Sequence, residues 1–118
     1  MAKILIVDDA TFVRIVLKNI LMPMGHILIE AADGVKGLEA YKNASPDLVF
    51  MDINMPNMDG IEALKEIIKI NPQAKVVMIS NQPKPELVKK ISENGAKGFI
   101  LKPFDDTKVI AAVNKFIV

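Results

Sequence analysis

At 118 residues, 51% of them hydrophobic, the chain is long enough for one domain around one core and too short for two. A quarter of the residues are charged and the net charge is +1, which excludes the large basic excess of a nucleic-acid or membrane surface. No cysteine is present, so disulfides, thiolate zinc sites and cysteine nucleophiles are excluded, in keeping with a reducing cytosol. The apolar run at the N-terminus, Ile4 to Val7, is too short for a signal peptide. No run approaches the ~18 apolar residues of a membrane span. The expectation is a single cytoplasmic domain over residues 1–118, monomeric, touching neither nucleic acid nor membrane.

Short apolar runs alternate with longer amphipathic ones. The first run, Ile4 to Val7, is followed by Val13, Val16, Leu17, Ile20, Leu21 and Met24 in a +3/+4 rhythm, which predicts a helix stopped by Pro23 and Gly25. The second run, Ile27 to Ile29, is short and lies near Glu30; Val35 and Leu38 mark the helix after it. Ser45-Pro46-Asp47 precedes the third run, Leu48 to Met51, and Ile61, Leu64, Ile67 and Ile68 form the next helical stripe before Asn71-Pro72. The fourth run is Val76 to Ile79. Its helix carries Leu87, Val88 and Ile91, with Pro85 in the first turn and Asn94-Gly95 as a left-handed stop. Phe99 to Leu101 is the fifth run, and Val109, Ile110, Val113, Phe116 and Ile117 close the pattern.

Continuous β-branched runs read as strands buried on both faces. Five such strands alternating with five helices predict an α/β fold, a doubly wound parallel sheet with right-handed crossovers. Ligands in these sheets bind at the carboxyl ends of the strands. Strand 1 ends in Asp8-Asp9, strand 3 at Asp52, strand 4 in Ser80-Asn81 and strand 5 in Lys102-Pro103. Singly, Asp8 or Asp9 could cap the first helix, Ser80 could cap the fourth, and Lys102 could be a surface lysine. Three carboxylates, a hydroxyl and a lysine on one rim point instead to a site. Carboxylates at close range raise one another's pKa unless a cation joins them. Mg²⁺, which takes one or two carboxylates and leaves room for phosphate oxygens, suits the set; no EF-hand spacing is present.

Val7-Asp8-Asp9, the stretch Met51-Asp52-Ile53-Asn54-Met55-Pro56-Asn57-Met58-Asp59-Gly60, Ile79-Ser80, Gly95-Ala96-Lys97-Gly98-Phe99 and Lys102-Pro103-Phe104 occur in this order and at this spacing. Together they resemble response-regulator receiver domains along the whole chain, in particular the chemotaxis regulators. The resemblance implies a flavodoxin-like (βα)5 fold with strand order 2-1-3-4-5. It implies a two-component switch in which Asp52 accepts a phosphoryl group from a histidine kinase or phosphotransfer domain, or from a small acyl phosphate. Asp9, Asp52 and the Asn54 carbonyl would bind Mg²⁺, with Asp8 acting through a water on the metal. Lys102 would pair with phosphoryl oxygens, Ser80 would bond the phosphoryl group, and Phe99 would turn into the space Ser80 leaves. Asn54 and Gln82 would tune hydrolysis, and output partners would dock on the face of helix 4, strand 5 and helix 5.

Three departures from the family pattern bear on this. Asn81 stands where a small residue is usual in the family; its larger polar side chain could narrow access to Asp52 or bond the phosphoryl group itself, and a slower reaction with bulky donors is expected. Gln82-Pro83-Lys84-Pro85 is stiffened by proline in a region that usually moves. Phe99 lacks the hydroxyl of the tyrosine common at its position. His26, the methionines at 51, 55 and 58, and Lys89-Lys90 read as a loop or strand-edge residue, core filling and a solvated face respectively.

The expected activity is that of a switch, not of a turnover enzyme. A Mg²⁺-dependent aspartyl phosphatase is the main rival, but its general acid would stand where Asn54 does, and there is no cap domain. A flavin binder would need a Gly-rich loop after strand 1 and stacking aromatics; there is no Trp and one tyrosine, Tyr41. A receiver that only binds partners is disfavoured by the intact acidic set. A stand-alone regulator and the receiver segment of a longer chain both remain open.

Overall fold

A computed structural model describes residues 2–81 and 84–117. The chain runs β1 (Lys3–Val7), α1 (Thr11–Leu21), β2 (Ile27–Ala31), α2 (Gly34–Ala44), β3 (Leu48–Asp52), α3 (Gly60–Ile70), β4 (Val76–Ser80), α4 (Pro85–Glu93), β5 (Gly98–Leu101) and α5 (Asp106–Phe116). The sheet is parallel throughout, in the order β2-β1-β3-β4-β5, as the resemblance implied.

Strand alternation explains the unbroken apolar runs. Ile4 and Ile6 of β1, Leu48 and Phe50 of β3, and Val77 and Ile79 of β4 meet Leu17 and Leu21 of α1 and Val109 and Val113 of α5. Their neighbours Leu5, Val7, Val49, Met51, Val76 and Met78 point the other way, toward Tyr41 of α2, Leu64 and Ile67 of α3, and Ile91 of α4. Each face of the central strands therefore needs apolar residues, and each buried aliphatic side chain contributes about 2 kcal/mol.

The expectation of two buried faces fails for β2 and β5. Ile27 is 45% exposed and Leu101 44%. Both strands lie at sheet edges, where the helices do not reach across. An edge position also explains why β2 extends through Glu30 to Ala31, since the carboxylate can reach solvent and α1.

The stops act as expected. A 3₁₀ turn over Met22–Met24 takes Met24 out of α1, and Gly25 adopts φ 81°. After α4, Gly95 at φ 101° lets its N–H reach Ser92 and the Ala96 N–H reach Ile91. Val35 and Leu38 both lie on α2: Val35 is exposed, while Leu38 packs against the core beside the buried Gly34, Gly37 and Tyr41. A side chain on Gly37 would press into Val7, so the helix backbone lies close against β1 at this point. His26 accepts from the Ala2 N–H, Met51 is buried with Met55 and Met58 packed beside it, and Lys89 and Lys90 are exposed. Among the described residues no helix is long and apolar enough to cross a membrane.

Candidate functional site

Parallel strands bring their carboxyl ends to one rim, and three acidic residues meet there. Asp8 follows β1 and is buried, Asp52 ends β3 and is buried, and Asp9 is exposed. One oxygen from each lies within 4.8 Å of the others. Lys102 enters from the end of β5. Its Nζ donates to Asp8 Oδ2 and to Asp52 Oδ1, both at 3.1 Å. The Lys102 N–H also donates to the Ser80 carbonyl at 2.7 Å, fixing the root of the lysine to the end of β4. The Lys102–Pro103 peptide is cis.

The capping alternatives do not hold. The N-cap of α1 is Ala10, with no side-chain cap; Asp8 Oδ1 instead accepts from the Ala10 N–H at 2.9 Å. The N-cap of α4 is Lys84, whereas Ser80 is buried at the end of β4. Phe99, half-buried on β5, pairs in register with Met78, and Ser80 with Leu101. Asn54 is exposed in the loop after Asp52. Asn81 is exposed and shares a cleft of about 470 Å³ with Phe12, Val16, Lys102 and Phe104. Gln82 and Pro83 lie outside the described residues.

The electrostatics of the rim are unbalanced. Burial pushes the Asp52 carboxyl above its ordinary pKa, and the charges of Asp8 and Asp9 push it further, against the pull of Lys102. Burial works against the Lys102 ammonium, but Asp8 and Asp52 outweigh it and hold the amine above its ordinary value. One ammonium among three carboxylates leaves the fully ionised cluster two negative charges in excess. An all-oxygen donor set with that excess, open to solvent at Asp9, fits a hard divalent cation such as Mg²⁺.

Sequence reasoning missed the residues that hold these loops. Asp33 caps α2 through the Lys36 N–H at 2.8 Å, and its other oxygen accepts from Asn57 Nδ2 at 3.0 Å. These two bonds, from the backbone first and then from Asn57, hold the Asp33 carboxyl below its ordinary range, burial opposing them. Asn57 stands at φ 69° in the loop after Asp52. Side chains on Gly34 or Gly60 would collide with the carbonyls of Met58 and Asp52. The signals were present as turn residues, Asp33-Gly34 and Asn57, but nothing local says that the two turns touch. Arg14 and Glu30 were missed for the same reason.

The response regulator receiver domain model matches residues 4–114. The chain belongs to that family. The chemotaxis protein CheY of Bacillus subtilis is 49% identical over 114 residues, covering 96% of this chain and 95% of the relative. The CheY of Thermotoga maritima is 46% identical over 114 residues, with the same coverage of 96% and 95%. Among solved structures, the CheX–CheY–BeF3–Mg complex of Borrelia burgdorferi aligns with a TM-score of 0.94 at 42% identity, covering 99% of this chain and 90% of that one. Receiver domains are the phosphorylated, Mg²⁺-dependent modules of two-component systems, and this chain is a CheY-like receiver.

Proposed function

We propose that Asp52 is the phosphoacceptor of a signalling switch, and the observation that carries this is the shared hold of Lys102 on Asp52 and Asp8. A carboxylate oxygen of Asp52 bonds to phosphorus while the bond from phosphorus to the donor's imidazole nitrogen breaks. The imidazole leaves with the electron pair and takes up a proton, and an acyl phosphate remains on Asp52. Lys102 is placed to meet the charge of the transferred oxygens, so the chain contributes position and charge more than covalent chemistry. Asp9, Asp52 and the Asn54 carbonyl would hold Mg²⁺, with Asp8 beside them, and the ion would supply further charge neutralisation.

Ser80 and Phe99 read the modified state. A phosphoryl group on Asp52 favours the arrangement in which Ser80 bonds it and Phe99 follows, which shifts the surface of α4, β5 and α5 toward partner binding. The donor is a sensor kinase or phosphotransfer domain. Similarity to chemotaxis proteins, and the crystallised pairing of a relative with CheX, support an output in chemotaxis through a protein partner. Water attack on the acyl phosphate resets the switch, tuned by Asn54 and Gln82. The module is monomeric and does not turn over substrates.

Intact-mass measurement after incubation with Mg²⁺ and a small acyl phosphate tests the acceptor. One labile phosphorylation is expected, lost in EDTA and in Asp52→Asn. Label that survives in the Asn variant places the acceptor elsewhere. Asn81 borders the cleft beside Lys102, so Asn81→Ala should speed transfer from a bulky donor more than from a small one. Equal effects on both donors reject a steric role.

A further inference from the structure

Arg14 lies in the first turn of α1, its side chain only 16% exposed, and its guanidinium spans three groups. Nη1 donates to the Asp8 carbonyl at 2.6 Å, Nε to Glu30 Oε1 at 3.2 Å, and Nη2 to Thr11 Oγ1 at 3.4 Å. The Asp8 carbonyl belongs to the peptide that joins Asp8 to Asp9. That stretch of chain is gripped from other directions too: the Asp8 N–H donates to Ala31 on β2, and Asp8 Oδ1 accepts from Ala10. Glu30, also on β2, anchors the guanidinium and in turn accepts from Lys18 at 3.0 Å. These contacts tie α1 and the edge strand to the one peptide that sets how Asp8 and Asp9 face each other.

We propose that Arg14 is a positioning residue for cation binding. With Glu30 holding it, it presets the Asp8–Asp9 peptide so that both carboxylates face Asp52 before a cation arrives. The proposal rests on the reading that this acidic set binds Mg²⁺. Charge alone predicts the opposite effect. A cation beside an acidic site repels Mg²⁺, so losing Arg14 would tighten binding if charge were its contribution. Losing a positioning group weakens binding. A lysine keeps the charge, but a single ammonium cannot reproduce the planar fork that holds Asp8, Glu30 and Thr11 together.

Calorimetric titration of the full chain with MgCl₂ separates these roles. Arg14→Ala and Arg14→Lys should each raise the Mg²⁺ dissociation constant, by roughly ten-fold, as for groups that orient metal ligands. Lys18→Ala removes a cation from the same Glu30 without touching Asp8, and should leave the constant unchanged. In EDTA, the Ala10 amide should exchange faster with solvent in both Arg14 variants and not in Lys18→Ala. Unchanged or tighter binding in Arg14→Ala overturns the proposal, as does an Arg14→Lys variant that behaves as wild type. Should Arg14→Ala fail to fold, Arg14→Lys with a normal circular-dichroism spectrum decides alone. A wild-type chain that takes no Mg²⁺ overturns the metal reading itself, whereas wild-type binding matched by both Arg14 variants overturns the role of Arg14 only.

Discussion

Helices α3 and α4 follow adjacent strands of one sheet, yet they are attached very differently. Asp59 caps α3 by accepting from the Glu62 N–H, and Gly60, Ile61, Ala63, Leu64 and Ile67 are all buried. The Gly60 N–H also donates to Ile53, so α3 grows directly out of the loop that follows Asp52. Helix α4 is two residues shorter, starts at Lys84 without a side-chain cap, and buries Ile91 alone. The acid site therefore stands on the firmly held half of the molecule, and the proposed output face includes the lightly held helix. A switch needs this division. Its chemistry requires fixed groups, while its readout requires two arrangements separated by only a few kcal/mol.

The largest expected effect tests the division directly. Leu64→Ala removes a fully buried side chain from α3 and should cost about 2–5 kcal/mol. Val88→Ala on α4 removes a half-buried one and should cost under about 1 kcal/mol. Urea unfolding measures both. Equal losses would mean that α4 is as firmly seated as α3, and the comparison would break.

The fixed half also holds like charges together, and that has a cost. The Asp52 carboxyl is raised above its ordinary pKa, so its ionised form destabilises the metal-free fold at pH values above the raised pKa. As pH falls through that value Asp52 takes up a proton and the penalty is relieved, and it is gone below the ordinary carboxylate value of about 4. In EDTA at neutral pH, Asp52→Asn should therefore melt at a higher temperature than wild type. The gain should shrink toward zero on acidification. Added Mg²⁺ should raise the wild-type melting temperature and leave the variant's nearly unmoved. A variant less stable than wild type at neutral pH in EDTA would show that Lys102 already neutralises the cluster.

How much of this was legible beforehand differs between the two halves. The strands were visible because Ile4 to Val7, Leu48 to Met51 and Val76 to Ile79 must feed two cores, which leaves no polar residue inside the runs. The site was visible because each strand end carries a residue with chemistry, and sheet topology alone brings such ends together. Val35 and Leu38 marked α2, and Leu38 packs on the core, but the close approach at Gly37 was not legible because a glycine adds nothing to a hydrophobic stripe. The braces were invisible for another reason. Arg14 and Glu30 are 16 residues apart, and Asp33 and Asn57 are 24 apart. A polar pair at that separation means nothing until the fold makes it a contact. The firm half is thus firm partly through bonds that no local pattern announces.

The smallest effects come from the two helix starts. Asp59→Ala leaves the Glu62 N–H without its acceptor and removes a negative charge from the positive end of α3; about 1 kcal/mol of stability should be lost. At the start of α4 the situation is reversed. Lys84 places a cation at the positive end of that helix and offers no acceptor, with Glu86 in the first turn as partial compensation. Lys84→Ser should therefore stabilise the chain, by roughly 0.5 kcal/mol, because a hydroxyl can accept from the first turn. If α4 has to loosen for the switch to operate, the same substitution should also weaken the response of the α4–β5–α5 face to phosphorylation, read as smaller amide shift changes on adding Mg²⁺ and acyl phosphate. A Lys84→Ser chain that is more stable yet responds fully would separate the seating of α4 from the switch, and leave the contrast between the helices as a matter of stability alone.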